Sequence, residues 1–327
     1  MVLADARGRP LRDLRISVTD RCNMRCRYCM PREVFGADFP YLPRAAVLSF
    51  EEIDRLAGLF VGLGVEKIRL TGGEPLLRRD LPTLVEMLAA HGAELAMTTN
   101  GVLLPRHAEA LAAAGLTRVT VSLDALDEAT FQAITDAGHS VAEVLAGIEA
   151  AQAAGMTPVK VNAVIKRGVN EDEVLPLVER FAPQEIAVRF IEFMDVGTTN
   201  GWALDAVVPA AELRAKLPGE ALPARHRGEV AKRQTVAGGE VGFITSVTEP
   251  FCGDCTRARL SADGRLYTCL FANEGVDLLT PMRAGADDAD LIEIISSTWA
   301  KRKDAYSEER KGAGADVSRV EMSYIGG

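Results

Sequence analysis

The chain has few of the residues that mark several large classes of protein. Only 4 histidines and 2 tryptophans occur among its 327 residues. Its longest uncharged, mostly apolar run, 56–65, is about half of the roughly 18 residues that span a bilayer. Basic residues are also outnumbered, because 37 Lys and Arg stand against 46 Asp and Glu and give a formal net charge of −9. That balance disfavours nucleic acid or an anionic membrane as a partner, since both attract basic surfaces.

The first residues and the cysteine content bear on the compartment. Charged residues interrupt 1–15, where a secretory leader would carry an apolar run. We therefore expect a cytoplasmic protein, in which the 6 cysteines are thiols or metal ligands rather than disulfides. With 48% hydrophobic residues, the chain can bury a substantial core.

Segments with strand character alternate with segments of helix character, which is typical of a parallel α/β fold. The predicted strands are 13–19, 66–71, 94–99, 117–123, 158–165 and 185–193. A capping box of Ser49 with Glu52 begins one helix, and Gly64 ends it. Further helices are predicted from Asp80 onward and over 105–114, 140–154 and 171–182.

The predicted strands alternate apolar and polar residues, whereas parallel strands that are covered on both faces normally read as continuous apolar runs. In the first strand, Leu14 and Ile16 oppose Arg15 and Ser17. If helices cover the apolar faces, the polar faces share the opposite side of the sheet, which in a barrel is the lumen. We therefore predict an incomplete (βα)6 TIM-type barrel with a polar lumen. A sheet with one solvated face is the alternative.

The alternation does not continue to the end of the chain, and this divides it into two predicted domains. Residues 1–193 form the partial barrel, and 194–327 form a C-terminal extension that closes the barrel mouth. Within the extension, 195–201 and 218–240 are rich in Gly, Pro, Thr and charge and are predicted to be loops. The charged stretch 301–319 contains several glycines and is predicted to be mobile.

All cysteines fall into two groups of three. The first trio is Cys22, Cys26 and Cys29, directly after the first predicted strand, and the second trio is Cys252, Cys255 and Cys269. Three thiolates hold three of the four irons of a [4Fe–4S] cubane, so one iron stays open to chelate a small molecule. Zinc is the alternative for the second trio, because C-x-x-C is common in structural zinc sites.

Cations recur on the polar faces of the predicted strands. They are Arg15, Lys67, Arg69, Lys160 and Arg189, and Arg257 and Arg259 lie beside the second trio. Arginine offers forked donors to phosphate oxygens and lysine offers a point charge, so this face suits a polyphosphate. The chain contains no G-x-x-x-x-G-K-[ST] loop, which disfavours a nucleotide site of the Walker type.

The spacing C-x₃-C-x₂-C after the first strand is the signature of the radical S-adenosylmethionine superfamily. Other family blocks follow in order, namely TGGEP at 71–75, TTNG at 98–101, VSLDA at 121–125, RFIEFMDVG at 189–197 and FCGDCTRARLSADG at 251–264. From GRPLRDLRIS near the start to MSYIGG at the end, the chain resembles the GTP 3′,8-cyclases of molybdenum cofactor biosynthesis. Only 300–319 departs from the family pattern.

This resemblance implies a cofactor set and a reaction. A [4Fe–4S] cluster on the first trio is implied to bind S-adenosylmethionine and to cleave it to a 5′-deoxyadenosyl radical. That radical removes hydrogen from C3′ of GTP, and C3′ then attacks C8 of the same base. The product is (8S)-3′,8-cyclo-7,8-dihydroguanosine 5′-triphosphate. A second [4Fe–4S] cluster on the second trio is implied to ligate the guanine ring.

The resemblance also implies roles for individual residues. The S-adenosylmethionine contacts are Tyr28, Gly73, Ser122 and Met194, and the missing Cβ of Gly73 would let a ligand approach the main chain. The GTP contacts are Arg15, Lys67, Arg69, Thr98, Lys160, Arg189, Arg257, Ala258 and Arg259. The catalytic set comprises the first trio, Arg257, Arg259, and Gly326 and Gly327 of a tail that enters the active site.

Partners follow from the same resemblance. They are a flavodoxin-type or ferredoxin-type reductant and, downstream, cyclic pyranopterin monophosphate synthase, and a homodimer is compatible with the family. Two other classes stay open. A peptide-modifying radical enzyme commonly carries more than three C-terminal cysteines. An electron carrier or zinc-binding module would leave the polar strand faces without a purpose.

Overall fold

A computed structural model describes residues 3–226, 228–310 and 319–326. Strands and helices alternate as predicted. The strands are β1 (Asp13–Ser17), β2 (Lys67–Thr71), β3 (Glu94–Thr99), β4 (Arg118–Ser122), β5 (Lys160–Ile165) and β6 (Ala187–Glu192). The helices are α1 (Phe50–Gly62), α2 (Leu81–Ala89), α3 (Leu104–Ala113), α4 (Glu128–Thr135), α5 (Val141–Ala153) and α6 (Val174–Phe181).

Local sequence signals explain where these helices begin and end. The predicted capping box is present, because the amide of Ser49 donates to the carboxylate of Glu52 at 2.7 Å and the amide of Glu52 donates to Ser49 Oγ at 3.2 Å. Gly64, at a φ of 111°, follows the end of α1. Helix α4 was not predicted, because its 8 residues offer only about two turns of apolar spacing.

The second part of the chain adds strands to both edges of the sheet. They are β7 (Ala221–Leu222), β8 (Lys232–Val236), β9 (Gly239–Ile244), β10 (Arg257–Leu260), β11 (Arg265–Tyr267) and β12 (Val276–Asp277). β9 pairs parallel with β6, and β10 pairs parallel with β1, so eight parallel strands lie side by side. The prediction of a loop over 218–240 is therefore wrong where β7, β8 and the start of β9 form.

The remaining helices lie among and after these strands. They are α7 (Ala210–Lys216), α8 (Leu279–Arg283), α9 (Asp288–Ala300), α10 (Tyr306–Glu309) and α11 (Met322–Ile325). Asp287 and Asp290 form a capping box at the start of α9, which buries Leu291, Ile295 and Trp299. In the described part of the chain, no helix combines the length and apolar character that crossing a bilayer requires. The division at residues 193 and 194 stays a prediction.

The two faces of the sheet differ as the alternation predicts. Leu14 and Ile16 of β1 and Leu70 of β2 are fully buried in the apolar core. Side chains of the other face line one cavity, to which all eight parallel strands contribute. Neighbouring strands lie about 4.8 Å apart, so a flat sheet of this width would keep its outer strands away from a common cavity. The sheet is therefore curved around the polar side, while closure into a barrel stays a prediction.

Candidate active site

The first trio lies in the loop that follows the C-terminal end of β1. The amides of Arg25 and Arg27 donate to carbonyls in the last turn of α4 at 2.9 and 3.0 Å and fasten this loop. Burial raises the pKa of Cys22 to about 11. Burial, the charge of Asp124 and the two other thiols raise the pKa of Cys26 well above its ordinary value. Thiols that are close together and costly to ionise alone suit a metal cluster, because metal cations stabilise thiolates.

Gly72 and Gly73, which follow β2, pack directly against this cysteine loop. The amide of Gly73 donates to the carbonyl of Thr19 at 2.9 Å, and the amide of Glu74 donates to the carbonyl of Arg21 at 2.8 Å. A Cβ at either glycine would overlap the main chain of the cysteine loop. The missing Cβ atoms therefore serve first to seat that loop, whereas the approach of a ligand to Gly73 stays a prediction.

Two buried carboxylates that the sequence analysis missed organise the strand ends beside the first trio. Glu74 accepts hydrogen bonds from Thr99 Oγ1 at 2.7 Å and from the amide of Asn100 at 2.8 Å, and burial raises its pKa to about 7. Asp124 accepts from the Tyr28 hydroxyl at 2.8 Å, and burial raises its pKa to about 6. Both acids lie just beyond the end of a strand, Glu74 in TGGEP and Asp124 in VSLDA, and this position is the signal that could have revealed them.

The second trio lies at the opposite end of the parallel strands. Cys252 and Cys255 precede β10, and the register of β10 against β1 pairs Arg257 with Asp13 at the N-terminal end of β1. The first trio instead follows Ser17 at the C-terminal end, roughly 13 Å further along the strand. The C-terminal extension therefore brings its thiols to the end of the sheet away from the first trio, a placement that sequence spacing does not reveal.

Cations surround the second trio. Burial opposes ionisation of Cys255, but Arg257 and Arg302 beside it outweigh burial and lower its pKa to about 6. The guanidinium of Arg257 donates to Cys255 Sγ at 3.3 Å. Burial and the charge of Asp304 raise the pKa of Cys269 to about 12. The trio thus has one thiolate stabilised by the protein and another that needs a metal to ionise.

The ligand atoms of each trio fit a metal cluster better than a single metal ion. Within 3–226, 228–310 and 319–326, no three His, Cys, Asp or Glu side chains are arranged to hold a single metal ion. A [4Fe–4S] cubane does not require such convergence, because each thiolate binds a different iron. Soft thiolate ligands of this kind favour iron–sulfur clusters. Each trio therefore fits a cubane with one open iron.

A cavity that is partly open to solvent connects the second trio to the polar face of the sheet. The predicted site residues that line it are Arg15, Arg69, Thr98, Arg189, Met194, Arg257 and Arg259, together with the second trio. The first trio, Tyr28, Gly73 and Ser122 are not among the described residues that line it. The structure thus brings six of the nine predicted GTP contacts into one cavity with the second trio.

The arginines of the cavity are buried close to one another. Burial and then the charge of Arg257 lower the pKa of Arg15 to about 9. Burial likewise lowers the pKa of Arg69 and of Arg189 to about 10. Arg15 Nε is buried without a hydrogen-bond partner among the described residues. Crowded, underpaired cations are costly to bury, and a polyanionic ligand would relieve that cost.

Family comparisons cover both parts of the chain. Residues 16–181 match the Radical SAM superfamily, and residues 186–308 match the family described as Molybdenum Cofactor Synthesis C. Streptococcus suis SuiB bound to precursor peptide SuiA has a TM-score of 0.61 at 14% identity, over 90% of this chain and 65% of that one. SuiB bound to S-adenosylmethionine has a TM-score of 0.60 at 16% identity, over 88% and 68%. At these identities the likeness shows the fold alone.

Curated relatives match nearly the whole chain. The GTP 3′,8-cyclase of Acidothermus cellulolyticus is 52% identical over an alignment 360 residues long, gaps included, that covers 99% of each chain. The enzyme of the same name from Staphylococcus saprophyticus is 46% identical over 337 residues, again 99% of both chains. The chain belongs to the GTP 3′,8-cyclase family. As a radical S-adenosylmethionine enzyme, it takes [4Fe–4S] clusters and S-adenosylmethionine as cofactors.

Three GTP contacts that the family resemblance implies lie outside the cavity lining. Lys67, at the start of β2, forms an ion pair with Glu94 at 3.6 Å. Lys160 is 6% exposed, and burial, followed by the charge of Arg189, lowers its pKa to about 7. Ala258 is fully buried in the apolar core, on the face of β10 opposite to its arginine neighbours. Only the main chain of Ala258 is therefore available to a ligand in the cavity.

The stretch 301–319, predicted to be mobile, makes defined contacts at both of its described ends. Arg310 forms an ion pair with Asp195 at 2.8 Å, and Arg319 forms one with the same carboxylate at 3.0 Å. Asp195 thus anchors the chain on both sides of 311–318, which lie outside the described residues.

The tail of this family member returns to the cavity side of the sheet. Arg259 donates a hydrogen bond to the carbonyl of Gly326. Gly326 has a φ of 68°, and a Cβ there would overlap the side chain of Thr71 and approach Ser17 Oγ to 3.2 Å. The predicted Gly327 lies outside the described residues. Gly326 therefore occupies a position between the strand ends and the arginines that only glycine fits.

Proposed function

We propose that this chain converts GTP to (8S)-3′,8-cyclo-7,8-dihydroguanosine 5′-triphosphate, the first step of molybdenum cofactor biosynthesis, in the cavity beside the second trio. The observation that carries this proposal is the group of crowded, buried arginines next to an incomplete set of thiol ligands. A polyphosphate satisfies the arginines, and a nucleobase offers nitrogen and oxygen ligands to an open metal position. GTP joins both chemistries in one molecule.

The triphosphate binds to the arginines of β1, β2, β6 and β10. Arg15 offers an Nε that has no hydrogen-bond partner in the described part of the chain. Arg69 is oriented by its donation to Thr98 Oγ1 at 3.2 Å and to Thr120 Oγ1 at 3.3 Å. Forked guanidinium donors match phosphate oxygens in pairs and fix the direction of the nucleotide. The ribose is thereby held between the two ends of the parallel strands.

The two trios divide the remaining work. When bound, the cluster of the first trio supplies the electron that cleaves S-adenosylmethionine, and the cluster of the second trio supplies an open iron for the base. Asp124 and Glu74 hydrogen-bond to the strand ends and to Tyr28 beside the first trio, so protein contacts orient these groups before ligands arrive. Holding C3′ and C8 of one nucleotide in a fixed geometry lowers the entropic part of the barrier to ring closure.

The tail covers the site on the side of the first trio. Gly326 lies against Thr71 and Ser17 and accepts from Arg259, so it lies between the C-terminal strand ends and the triphosphate-binding arginines. Cover of this kind excludes water and keeps a radical reaction from side products. Met194, which lines the cavity, and Ser122, which ends β4, are the proposed S-adenosylmethionine contacts on this side.

An anaerobic assay tests the function. The reconstituted chain is given GTP, S-adenosylmethionine and a strong reductant, and 5′-deoxyadenosine and the cyclised nucleotide are measured together. We expect equal amounts of both products, and we expect Arg189→Met to raise the KM for GTP at least tenfold. Arg55→Met, which alters a partly exposed arginine paired with Asp288 at 2.8 Å, is the matched control. Cleavage of S-adenosylmethionine without any cyclised guanosine product would contradict the proposal.

GTP binding is expected to take up a proton at Lys160. The pKa of Lys160 is about 7 in the free protein, so at pH 7.5 a large part of its amine is neutral. A bound polyphosphate favours the charged form and raises this pKa, so binding is weaker as pH rises above 7. Calorimetric titration in two buffers of different ionisation enthalpy should give proton uptake in the wild type and less in Lys160→Met. Lys301→Met, at the surface, should match the wild type, and equal uptake in all three proteins would refute the prediction.

The same pKa shift predicts the effect of Lys160 on stability. Its folded pKa lies below the ordinary lysine value, so the unfolded state binds more protons between about pH 7 and 10. The loss of folding stability caused by burying the charged Lys160 is therefore fully present below pH 7 and decreases as pH rises to 10. Without GTP, Lys160→Met should be more stable than the wild type at pH 7, which a melting curve measures.

The partners of the reaction stay predictions from the family resemblance. They are the flavodoxin-type or ferredoxin-type reductant, the downstream cyclic pyranopterin monophosphate synthase and the homodimer. Arg21 and Arg27 are exposed in the first cysteine loop and support a reductant of acidic surface, because opposite charge steers association.

A further inference from the structure

The segment before β1 brings a buried arginine to the second trio. Arg9 is fully buried and lines the same cavity as the three thiols. Its Nε donates to Asp5 Oδ2 at 2.5 Å. Its Nη1 donates to the carbonyl of Cys252 at 2.9 Å and to the carbonyl of Asp304 at 2.8 Å. The guanidinium therefore holds the main chain of a proposed cluster ligand directly.

The other terminal nitrogen of Arg9 has no such partner. Nη2 is buried and makes no hydrogen bond to any described residue, and its ion-pair contact, Asp304 Oδ1, is 4.0 Å away. Buried charged donors are costly to leave unpaired, and folded proteins pair nearly all of them. An acceptor in the cavity would complete the hydrogen bonding of this guanidinium.

The charges around the second trio indicate what that acceptor is. Arg257 donates to Cys255 Sγ at 3.3 Å, and further arginines line the same cavity as the three thiols, among them Arg9, Arg15, Arg259 and Arg302. An oxidised [4Fe–4S] cluster with three thiolates carries one negative charge. Cationic surroundings of this kind favour an anionic group such as that cluster.

We propose that Arg9 Nη2 donates a hydrogen bond to a sulfur of the cluster on the second trio and thereby raises the reduction potential of that cluster. The inference rests on the proposed ligand role of Cys252, Cys255 and Cys269. Reduction adds a negative charge, and a buried N–H donor stabilises the reduced form more than the oxidised form. Arg9 is a positioning residue, since it acts through the cluster and its ligand loop.

The substrate base is the competing acceptor for Nη2. Both acceptors would explain an unpaired donor in the cavity, but they differ in what happens before GTP arrives. If a cluster sulfur is the acceptor, Arg9 changes the reduction potential of the second cluster even in the protein without GTP. A base acceptor makes it visible only after GTP binds.

The test is a redox titration of the full chain with both clusters reconstituted and no GTP, followed by electron paramagnetic resonance. We expect Arg9→Gln to lower the potential of the second cluster by about 59 mV or more, a tenfold change in its reduction equilibrium. The potential of the first cluster should stay unchanged and serves as the internal control. Full-length protein with Cys22→Ala, Cys26→Ala and Cys29→Ala identifies the signal of the second cluster.

Two further variants separate hydrogen bonding from folding. Trp299 Nε1 donates to the carbonyl of Arg9 at 3.2 Å, so Trp299→Phe disturbs the same segment but keeps the guanidinium. We expect this variant to keep the wild-type potential. Arg9→Lys keeps the charge and should recover part of the shift. If Arg9→Gln does not take up iron, the potentials of the second cluster in Arg9→Lys and Trp299→Phe are compared. A lower potential in Arg9→Lys than in Trp299→Phe supports the hydrogen bond, and equal potentials overturn it.

The outcomes distinguish this inference from the proposed function. An Arg9→Gln protein with about eight irons per chain and wild-type potentials would overturn the inference and leave the two clusters in place. A shift that arises only with GTP would assign Nη2 to the substrate and also overturn it. A wild-type protein with only about four irons would instead overturn the ligand role of the second trio.

Discussion

Cys269→Ser is expected to abolish formation of the cyclised nucleotide while S-adenosylmethionine is still cleaved. Cys269 lines the cavity, and burial together with Asp304 raises its pKa to about 12, so it gives a ligand only when a metal ionises it. A serine hydroxyl at this position is a poor ligand for iron. The second cluster, and with it the open iron that would bind the base, is therefore not formed. The first trio is at the other end of β1 and keeps its own chemistry.

The expected loss in cyclisation is more than about 100-fold, because the nucleotide loses the contact that fixes its base relative to C3′. Iron content should fall from about eight to about four per chain. The measurement is chromatography of both products after a single anaerobic incubation, with 5′-deoxyadenosine formed without the cyclised product. Thr268→Ser, which alters the neighbouring residue but keeps its hydroxyl, should cyclise GTP normally. Full cyclisation by Cys269→Ser would remove the second trio from the mechanism.

The first six strands were predictable because each carries its own signal. Alternating side chains in β1 and β2 indicate both the strand and its buried face, and recurrent arginine on the polar face indicates the side of the sheet that lines the cavity. Such signals are local, since period-2 alternation needs only five or six residues. That alternation placed Arg15, Arg69 and Arg189 on the face that lines the cavity, but it placed Lys67 and Lys160 there too, and these two lie outside the lining.

The second half of the chain was harder to predict because its structure depends on distant partners. β10 has the four residues RARL, and it becomes a strand through parallel pairing with β1. The residues near β10 do not indicate its register against β1. The spacing of the cysteines therefore could not predict at which end of β1 the second trio lies. The burial of Arg9 was unpredictable for the same reason, because it depends on contacts with the carbonyls of Cys252 and Asp304, which are distant in sequence.

Gly326→Ala is expected to lower cyclisation by more than about tenfold through displacement of the tail. A Cβ at this position would overlap Thr71, and its φ of 68° is strained for any side chain. Gly168→Ala is the matched control, since Gly168 has a φ of 71° and open space around its Cβ position. Backbone strain of roughly 1 kcal/mol is common to both variants, so only the overlap separates them.

A second substitution makes the tail prediction specific. Thr71→Ser removes the methyl group that the new Cβ would meet, so Gly326→Ala combined with Thr71→Ser should recover part of the lost cyclisation. The single-turnover rate measures this recovery, because it excludes product release. Displacement of the tail also frees Arg259 from the Gly326 carbonyl, so GTP affinity should fall less than the rate. If Gly326→Ala behaved like Gly168→Ala, the tail would not occupy this position during turnover, and the cover on the side of the first trio would have to come from another segment.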